Sequence, residues 1–323
     1  MIDEHTIIIG AGPCGLSCAL ELQKHGIKPL IIEKENIVNT IYQFPTHQTF
    51  FSTSENLEIG NIPFTTPNHK PVRNEALAYY REVVKRNEIR VNTYERVIDI
   101  HQTDDYFQVK TKKQAKIKTY KARYVIIATG YYDQPNYLHI PGENLPKVFH
   151  YFKEAHPFYK TNVVVIGGKN SAVDTSLELV KAGANVTVLY RGSTYSKSIK
   201  PWILPQFDSY VQKGIIQMKF GAIVKEITPD SVIYRANGED REIENDFVFA
   251  MTGYRPDVDF LRNVGIKIDE TTGKPMINKS FETNIENIYV AGVIVSGYNG
   301  NETFIENGRF HAVDIVKSIL CKE

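Results

Sequence analysis

Residues 7–15 read Ile7-Ile8-Ile9-Gly10-Ala11-Gly12-Pro13-Cys14-Gly15, an apolar run that leads directly into a glycine-rich turn. The run has the length and composition of a buried strand, and the glycine spacing is typical of the turn between such a strand and a helix. Gly10 permits the tight turn, Gly12 lets a pyrophosphate approach the backbone, and Gly15 allows the helix to pack closely on the strand. The segment therefore predicts a dinucleotide-binding unit.

A second copy of this pattern lies in the middle of the chain. It reads Val163-Val164-Val165-Ile166-Gly167-Gly168-Lys169-Asn170-Ser171-Ala172. In both copies the N–H groups at the start of the helix are expected to face a pyrophosphate. Lys169 stands where the second glycine of the pattern is expected, so this turn either holds its nucleotide more loosely or uses the lysine charge on a phosphate. Two copies of strand, turn and helix are a far more specific signal than one glycine pattern alone.

The two units end their second strands in side chains of opposite charge. Glu33 follows the first unit and Arg191 follows the second. A carboxylate accepts hydrogen bonds from a free ribose 2′-OH and repels a 2′-phosphate, whereas a guanidinium binds that phosphate. The first unit is therefore expected to hold FAD and the second NADPH, with Lys197 or Lys200 either assisting Arg191 or belonging to a solvated basic loop. This cofactor pair predicts a flavoprotein that passes electrons from NADPH to another acceptor.

The composition excludes several classes of function. The chain has 323 residues, enough for two domains, and its 38 Lys and Arg balance 37 Asp and Glu, so no nucleic-acid partner is predicted. The apolar runs are too short to span a bilayer and the N-terminus has no signal-peptide layout, so a cytoplasmic location without membrane association is predicted. The cysteines Cys14, Cys18 and Cys321 give neither a disulfide framework nor metal-ligand spacing, and no metal is expected.

The pattern along the chain predicts an α/β fold of two Rossmann-like dinucleotide-binding domains, the second inserted in the first. The split FAD-binding domain is predicted to span residues 1–154 and 258–323, and the NADPH-binding domain residues 155–257. The elements predicted for the first domain are an amphipathic helix at Asn74–Asn87, a small inserted antiparallel sheet of strands Ile89–Thr93, Val97–Gln102 and Phe107–Thr111, and a last helix from Thr303 to about Leu320.

Two predicted strands end in small residues, which let the backbone approach a dinucleotide closely. One ends in Ala128-Thr129-Gly130 and the other in Thr252-Gly253. The polar and aromatic segment at residues 37–48 is interpreted either as a wrapping for the flavin ring or as an ordinary surface loop. The complete set of predicted cofactor-binding residues is Gly10, Gly12, Pro13, Cys14, Gly15, Glu33, Lys34, Thr40, Gln48, Val97, Ala128, Thr129, Gly130, Gly167, Gly168, Asn170, Ser171, Ala172, Arg191, Lys197, Gly253, Gly292, Val293 and Phe304.

These landmarks, in this order over essentially the whole chain, resemble the two-dinucleotide-domain flavoproteins typified by low-molecular-weight thioredoxin reductase. More narrowly, the Gly10–Gly15 turn, the turn at 167–172 and the ending Ala291-Gly292-Val293 resemble the bacillithiol disulfide reductases. Thioredoxin reductases carry a Cys-x-x-Cys pair just before the second turn, and His150 and Lys153 hold those positions here. The resemblance therefore implies that thioredoxin is not the substrate.

The resemblance to the bacillithiol disulfide reductases implies an FAD-containing enzyme that uses NADPH to reduce a low-molecular-weight disulfide, with bacillithiol disulfide as the expected substrate and thiol redox homeostasis as the role. It also implies that Cys14 attacks the substrate disulfide or forms a mixed disulfide with it. Relatives of this type are commonly homo-oligomers, so a dimer or tetramer is expected. Val293 departs from the family, because many relatives have there an aspartate that binds the flavin ribityl chain.

Several side chains near the proposed disulfide chemistry have more than one interpretation. Cys14 lies in the first turn of a helix, whose dipole is expected to lower the thiol pKa, although a bound pyrophosphate acts in the opposite direction. The alternative for Cys14 is a small residue packed under the cofactor. Cys18 is interpreted as a buried helix residue, since a disulfide to Cys14 would be strained. His150, Lys153 and His156 either donate a proton to a leaving thiolate or are ordinary loop residues.

Two other enzyme functions are compatible with this fold. Relatives without the dithiol include reductases of ferredoxin or flavodoxin, which usually present a basic docking face and often carry a C-terminal aromatic over the flavin. This chain is nearly neutral, and its last residues, 318–323, contain no aromatic. Segments Asn39–Pro45 and Phe149–His156 loosely resemble flavin monooxygenases, but the full histidine-containing signature of those enzymes is absent.

Overall fold

The computed structural model describes residues 1–323 and has the predicted α/β architecture, with one mixed sheet and one parallel sheet that each carry helices. In chain order the elements are β1 (Ile2–Ile9), α1 (Pro13–Lys24), β2 (Leu30–Ile32), α2 (Asn39–Gln43), α3 (Ser54–Leu57), α4 (Arg73–Arg86), β3 (Arg90–Asn92), β4 (Arg96–Gln102), β5 (Phe107–Lys113), β6 (Lys116–Ile127), β7 (Val148–Phe149), β8 (Asn162–Ile166), α5 (Asn170–Lys181), β9 (Asn185–Tyr190), α6 (Leu204–Gln212), β10 (Ile216–Phe220), β11 (Ile223–Ile227), β12 (Ser231–Ala236), β13 (Glu239–Glu244), β14 (Phe247–Ala250), α7 (Val258–Val264), β15 (Ile288–Val290), α8 (Ile305–Gly308) and α9 (His311–Leu320), with short 3-10 helices at His156–Phe158 and Gly292–Ser296.

The first sheet has seven strands in the order β3-β2-β1-β6-β5-β4, with β15 paired to β6. Its central strand, β1, lies between β2 and β6, and Ile8 is opposite both Ile31 and Ile126. All three side chains are fully buried, which explains why these strands are continuous apolar runs and not alternating ones. The glycine turn after β1 therefore lies near the centre of the carboxyl edge of the sheet.

The antiparallel part of this sheet differs from the prediction. The three strands predicted between residues 89 and 111 are present. The prediction that they form a separate antiparallel sheet is wrong, because they belong to the first sheet. β3 pairs in parallel with β2, and β5 pairs antiparallel with β6. The physical reason is the length of β6, whose residues 116–122 pair with β5 while residues 120–127 pair with β1. One long strand thus joins the antiparallel hairpin to the nucleotide sheet.

The second sheet has five parallel strands in the order β10-β9-β8-β14-β7. Val164 of β8 and Val248 of β14 lie opposite each other at its centre and are buried. The turn between β8 and α5 lies at the carboxyl edge of this sheet, just as the first glycine turn lies at the carboxyl edge of its own. Strands β11, β12 and β13 form a separate three-stranded antiparallel sheet in the same part of the chain.

The chain divides into two compact units. The first contains residues 1–43, 47–134 and 255–323, and the second contains residues 44–46 and 135–254. Residues 135–154, which the sequence prediction assigns to the FAD-binding domain, lie in the second unit, because β7 pairs with β14 of the second sheet. The predicted boundary at 257/258 lies close to the division at 254/255.

The helices agree with the predictions except at the C-terminus. The amphipathic helix predicted at Asn74–Asn87 is confirmed as α4. The prediction of a single last helix is wrong. Two helices, α8 and α9, are present instead, and they are separated by Arg309 and Phe310. There the N–H of Phe310 donates to the Asn307 carbonyl, a tighter i to i−3 bond than an α-helix has. No helix of the chain is long and apolar enough to cross a membrane.

Candidate functional site

Close packing of backbone explains the glycines of the first turn. Gly10 has φ +107°, and a Cβ there would lie 2.4 Å from the Ala128 carbonyl oxygen. A Cβ at Gly15 would lie 2.1 Å from the Gly10 carbonyl oxygen, so α1 requires glycine to pack on the strand. Gly12 differs, because no atom lies within 4 Å of its Cβ position. This open space precedes Pro13, the first residue of α1, and a pyrophosphate fits there.

Glu33 follows β2 and its side chain reaches back to the same turn. The carboxylate accepts hydrogen bonds from the N–H of Ala11 and from the N–H of Glu35, both at 2.8 Å. Burial raises the pKa of Glu33, while the two backbone hydrogen bonds act in the opposite direction. A carboxylate has about four lone-pair positions, so two remain for the hydroxyls of a ribose.

The ends of the neighbouring strands complete this edge of the first sheet. Gly130, two residues after Ala128 and next to Thr129, has φ +72° and open space at its Cβ position. Lys34 forms an ion pair with Asp133, and burial lowers the pKa of Lys34. Val97 is buried in the core of the first unit, so only its backbone could contact a nucleotide.

Four further predicted FAD contacts lie in separate segments of the first unit. Thr40 is exposed on α2, and Gln48 is half-buried with its carbonyl accepting a hydrogen bond from the Arg73 N–H. Val293 lies in the 3-10 helix that begins at Gly292, and Phe304 is exposed just before α8. Their roles in binding FAD stay predictions.

The thiol of Cys14 packs against two glycines that are distant in sequence. A Cβ at Gly292 or at Gly308 would lie 3.0 Å from the Cys14 Sγ. Gly292 begins the 3-10 helix after β15 and has φ +80°, and Gly308 is the last residue of α8. A larger residue at either position would displace the thiol, so these glycines form the pocket that holds the Cys14 side chain.

The environment of Cys14 acts against the predicted effect of the helix. Burial, and after it the negative charge of Glu306, raises the pKa of Cys14 to about 12. Glu306 lies on α8, where its carboxylate also accepts a hydrogen bond from the Ser52 hydroxyl. The start of α1 is still expected to lower the pKa of this thiol, but desolvation acts in the opposite direction and outweighs it. These surroundings favour the protonated thiol of Cys14 over its thiolate.

His311, which sequence reasoning missed, holds one side of the Cys14 pocket. Its Nδ1 accepts a hydrogen bond from the N–H of Gly292 at 3.2 Å, and its ring stacks on Phe281 with centroids 4.0 Å apart. Burial lowers the pKa of His311 to about 4, which favours a neutral ring, and the hydrogen bond from Gly292 assigns the unprotonated nitrogen to Nδ1. The pocket role of Gly308 was also missed, although a glycine inside a predicted helix is a signal of close packing.

An aromatic ring packs against the second glycine turn. Gly167 has φ +143°, and a Cβ there would lie 2.4 Å from the Met251 carbonyl oxygen and 3.1 Å from the Cβ of Ala172. Tyr190, the last residue of β9, lies against Gly168, where a Cβ would approach the ring Cγ to 2.3 Å. The structure thus explains both glycines and the small third residue of this turn.

The polar residues of the second turn have distinct positions. Lys169 precedes α5 with an exposed side chain, while Arg191 after β9 and Lys197 are exposed as well. Asn170 and Ser171 are the first residues of α5, and their N–H groups lack partners within the helix. The side chain of Asn170 is engaged elsewhere, in hydrogen bonds to Ser198 and Lys200.

Gly253, His150 and Cys18 are in contact with other parts of the protein. Gly253 follows β14 with φ +90°, and its carbonyl accepts a hydrogen bond from the Asn136 N–H. His150 has its Nε2 3.9 Å from the Glu143 carboxylate, but burial lowers the pKa of His150. Its neutral ring is therefore a poor proton donor at neutral pH. Cys18 is fully buried on α1, in agreement with its interpretation as a core residue.

The residues present fit two dinucleotides. The open space at Gly12, the N-terminus of α1 and the buried carboxylate of Glu33 match the pyrophosphate and a ribose of FAD. The N-terminus of α5 and the exposed Arg191 match the pyrophosphate and 2′-phosphate of NADPH.

Comparison with known proteins agrees with this geometry. A family model described as pyridine nucleotide-disulphide oxidoreductase matches residues 7–292. The chain belongs to this family. It is 58% identical to bacilliredoxin reductase Bdr of Bacillus subtilis (strain 168) over 100% of this chain and 99% of that protein.

Two solved structures have the same fold. One is bacillithiol disulfide reductase Bdr (YpdA) from Bacillus cereus, at a TM-score of 0.97 and 60% identity, covering 99% of this chain and 100% of that one. The other is the Bdr (YpdA) from Staphylococcus aureus, at a TM-score of 0.95 and 55% identity, with both chains covered completely. The predicted resemblance to the bacillithiol disulfide reductases is confirmed.

Family membership establishes the cofactors and the class of enzyme. The protein is a flavoprotein that uses FAD and NADPH, and it is an NADPH-dependent disulfide oxidoreductase. No group of three or more His, Cys, Asp or Glu side chains is arranged to hold a metal ion.

Proposed function

We propose that this protein reduces bacillithiol disulfide with electrons from NADPH and so maintains thiol redox balance. The observation that carries the proposal is the 60% identity, at a TM-score of 0.97 over 99% of this chain, to a protein named bacillithiol disulfide reductase. In the balanced reaction one disulfide, one NADPH and one proton give two thiols and NADP⁺. The substrate is a small molecule, and we propose that the enzyme works in the cytoplasm as a homo-oligomer, a dimer or tetramer.

Cys14 is the proposed thiol of this reaction. Its thiolate forms a bond to one sulfur of the substrate, the substrate S–S bond breaks, and the first product leaves as a thiolate. The mixed disulfide then takes up two electrons, which break the new S–S bond, restore Cys14 and release the second product. FAD, when bound, receives these electrons from NADPH and supplies them.

The raised pKa of Cys14 sets a requirement for this mechanism. Since the thiol holds its proton at neutral pH, a base must remove the proton before the sulfur can attack. Besides burial, the negative charge of Glu306 raises this pKa and so opposes formation of the thiolate, and we propose that neutralising this charge favours the attack. Gly292 and Gly308 leave room for the Sγ, because a Cβ at either position would lie only 3.0 Å from it.

The cofactors are assigned to the two glycine turns. FAD is proposed to bind at Gly12, Gly15 and Glu33, where open space and a buried carboxylate lie side by side. NADPH is proposed to bind at the start of α5, with Arg191 and Lys197 at its 2′-phosphate. The hydrogen-bond capacity left on Glu33 and the exposure of the two cations support these assignments.

The test measures NADPH oxidation by the purified holoprotein with bacillithiol disulfide, with ferredoxin and with oxygen alone. We expect rapid oxidation only with the disulfide, and a loss on the order of 100-fold in the Cys14→Ala variant. The variant should keep its flavin spectrum and its reduction by NADPH, which separates the thiol step from cofactor binding. Undiminished turnover in Cys14→Ala would remove this residue from the mechanism, and faster oxidation with ferredoxin or oxygen would reject the proposed substrate.

A further inference from the structure

The loop that follows β9 has the composition of a phosphate-binding segment. Residues 191–203 read Arg191-Gly192-Ser193-Thr194-Tyr195-Ser196-Lys197-Ser198-Ile199-Lys200-Pro201-Trp202-Ile203. The run contains three cationic side chains, several hydroxyl groups and no carboxylate. The hydroxyl of Tyr195 is engaged by the carboxylate of Asp208 on α6 at 2.9 Å, so the three cations are the groups suited to bind a phosphate, provided that the loop holds them in one place.

One side chain of the nucleotide turn fixes this loop. The Nδ2 of Asn170 donates to the Ser198 carbonyl at 3.0 Å, and its Oδ1 accepts from the Lys200 N–H at 2.9 Å. The reversed amide would oppose donor to donor and acceptor to acceptor, so only this orientation satisfies both partners. Ile199, between the two bonded residues, is 5% exposed and packs in the core of the second unit.

A turn within the loop adds to this order. The hydroxyls of Ser196 and Ser198 are hydrogen-bonded at 2.8 Å, and the Ile199 N–H donates to the Ser196 carbonyl at 3.1 Å. Residues 196–200 are thus held by a local turn, by a buried side chain and by Asn170. Lys197 lies within this ordered segment and its side chain is exposed.

Asn170 therefore connects two phosphate positions of one nucleotide. Its backbone N–H belongs to the free donors at the start of α5, where the pyrophosphate is proposed to bind. Its side chain fixes the segment that carries Lys197 and Lys200 relative to that helix end.

We propose that Asn170 is a positioning residue that sets the preference for NADPH over NADH. It holds residues 196–200 against α5, so that Lys197 and Lys200 stay with Arg191 at the ribose 2′-phosphate. This inference rests on the proposed binding of NADPH at this turn. It means that Asn170 strengthens 2′-phosphate binding through the lysines and without contacting that phosphate itself.

The first experiment measures the binding of NADP⁺ and NAD⁺ to the purified holoprotein by calorimetry. The two probes differ only in the 2′-phosphate. Asn170→Ala is expected to weaken NADP⁺ binding about tenfold, or about 1.4 kcal/mol, and to leave NAD⁺ binding unchanged. Lys181→Ala is the matched control, because it removes a lysine from the far end of the same helix and should change neither affinity.

The second experiment tests whether Asn170 acts through the lysines. The double variant Lys197→Ala/Lys200→Ala is expected to lose NADP⁺ affinity by at least the same factor. Adding Asn170→Ala to it should then change little, since a positioning residue has no effect once the groups it positions are gone. The lysine variant alters a surface loop, so this arm does not depend on how well Asn170→Ala folds.

The outcomes separate the inference from the proposed function. Equal weakening of both nucleotides by Asn170→Ala, no weakening at all, or additive losses in the combined variant would each overturn the role of Asn170. A selective loss of NADP⁺ in Arg191→Ala would show that the NADPH site still stands in those cases. If the unmodified protein binds both nucleotides equally and Arg191→Ala has no effect, the proposed NADPH site is rejected and the inference with it.

Discussion

The Sγ of Cys14 would lie only 3.0 Å from a Cβ added at Gly308, closer than side-chain carbons normally approach a sulfur. The start of α1 and the end of α8 are far apart in sequence. They pack closely because the thiol of Cys14 occupies the space that a side chain at position 308 would need. Gly308 does not have a positive φ, so an alanine there would be opposed by this contact and not by backbone strain.

Gly308→Ala is expected to lower the free energy of unfolding by about 1–3 kcal/mol, the usual effect of overpacking a core. Cys14→Ala in the same chain removes the Sγ and should recover part of the loss, while the contact with Thr303 remains. Denaturant unfolding of the two single variants and the double variant measures this coupling. Simple additivity of the two effects would show that Gly308 does not serve the thiol.

Glu33→Ala is expected to weaken FAD binding at least about tenfold. The N–H groups of Ala11 and Glu35 would lose their acceptor, and each unsatisfied buried donor destabilises the site by about 1–3 kcal/mol. Release of FAD, followed by the rise in flavin fluorescence on dilution, gives the affinity. Glu35→Ala is the control, because that side chain is exposed and only its backbone N–H contacts Glu33. The same loss of FAD in both variants would contradict the assignment.

Glu306→Gln is expected to make Cys14 more reactive toward an alkylating reagent at a given pH. The charge of Glu306 contributes to the raised pKa of this thiol, so its removal lowers the pKa and increases the thiolate fraction. The alkylation rate would be measured against pH in a Cys321→Ser background, since Cys321 is exposed. Glu302→Gln, which removes an exposed carboxylate paired with Lys274, should leave the rate unchanged.

An unchanged pH profile in Glu306→Gln would mean that the carboxylate does not act on the thiol. The variant also bears on turnover. Its NADPH oxidation with bacillithiol disulfide should rise or stay equal, because a lower pKa of Cys14 favours the attacking thiolate. A lower rate would contradict the view that the charge of Glu306 only opposes thiolate formation.

Because of His311, the free energy of unfolding is expected to decrease in acid. Its pKa in the folded protein, about 4, lies below its ordinary value of 6.5, so the unfolded chain binds the proton more readily. Stability is therefore lost as the pH falls from about 6.5 toward about 4. His311→Gln keeps an acceptor for the Gly292 N–H and does not titrate, so its Tm should fall less between about pH 7 and about pH 5. His69→Gln, at an exposed histidine, should show the full dependence of the unmodified protein.

Much of the fold could be predicted because the two nucleotide turns have strict steric requirements. Glycine at positions 10 and 167 is required by positive φ and by a neighbouring carbonyl, and such requirements are visible in the residue type itself. The break between α8 and α9 could not be predicted, because the helical pattern continues across Arg309 and Phe310. The three pairing partners of β6, which are β1, β5 and β15, could not be predicted either, because a strand that is buried as a continuous apolar run does not show in its sequence which strands lie on its edges.

Outside the glycine turns, the candidate site was predictable where the charge of a side chain decides which nucleotide it binds. Glu33 and Arg191 lie where the pattern places them. The pKa of Cys14 could not be predicted, because it depends on Gly292, Gly308 and Glu306 closing around the sulfur from remote segments. The local sequence predicts a helix and therefore its dipole, but it does not predict which remote segments bury the thiol.

Tyr190 constrains how the second turn can change over evolutionary time. A Cβ at Gly168 would meet the base of the ring at 2.3 Å, and one at Gly192 would meet its far edge at 2.5 Å. A side chain at either glycine would have to displace this ring, whereas a smaller residue at position 190 would remove both contacts at once. The size of residue 190 therefore controls which side chains this turn can accept at both positions.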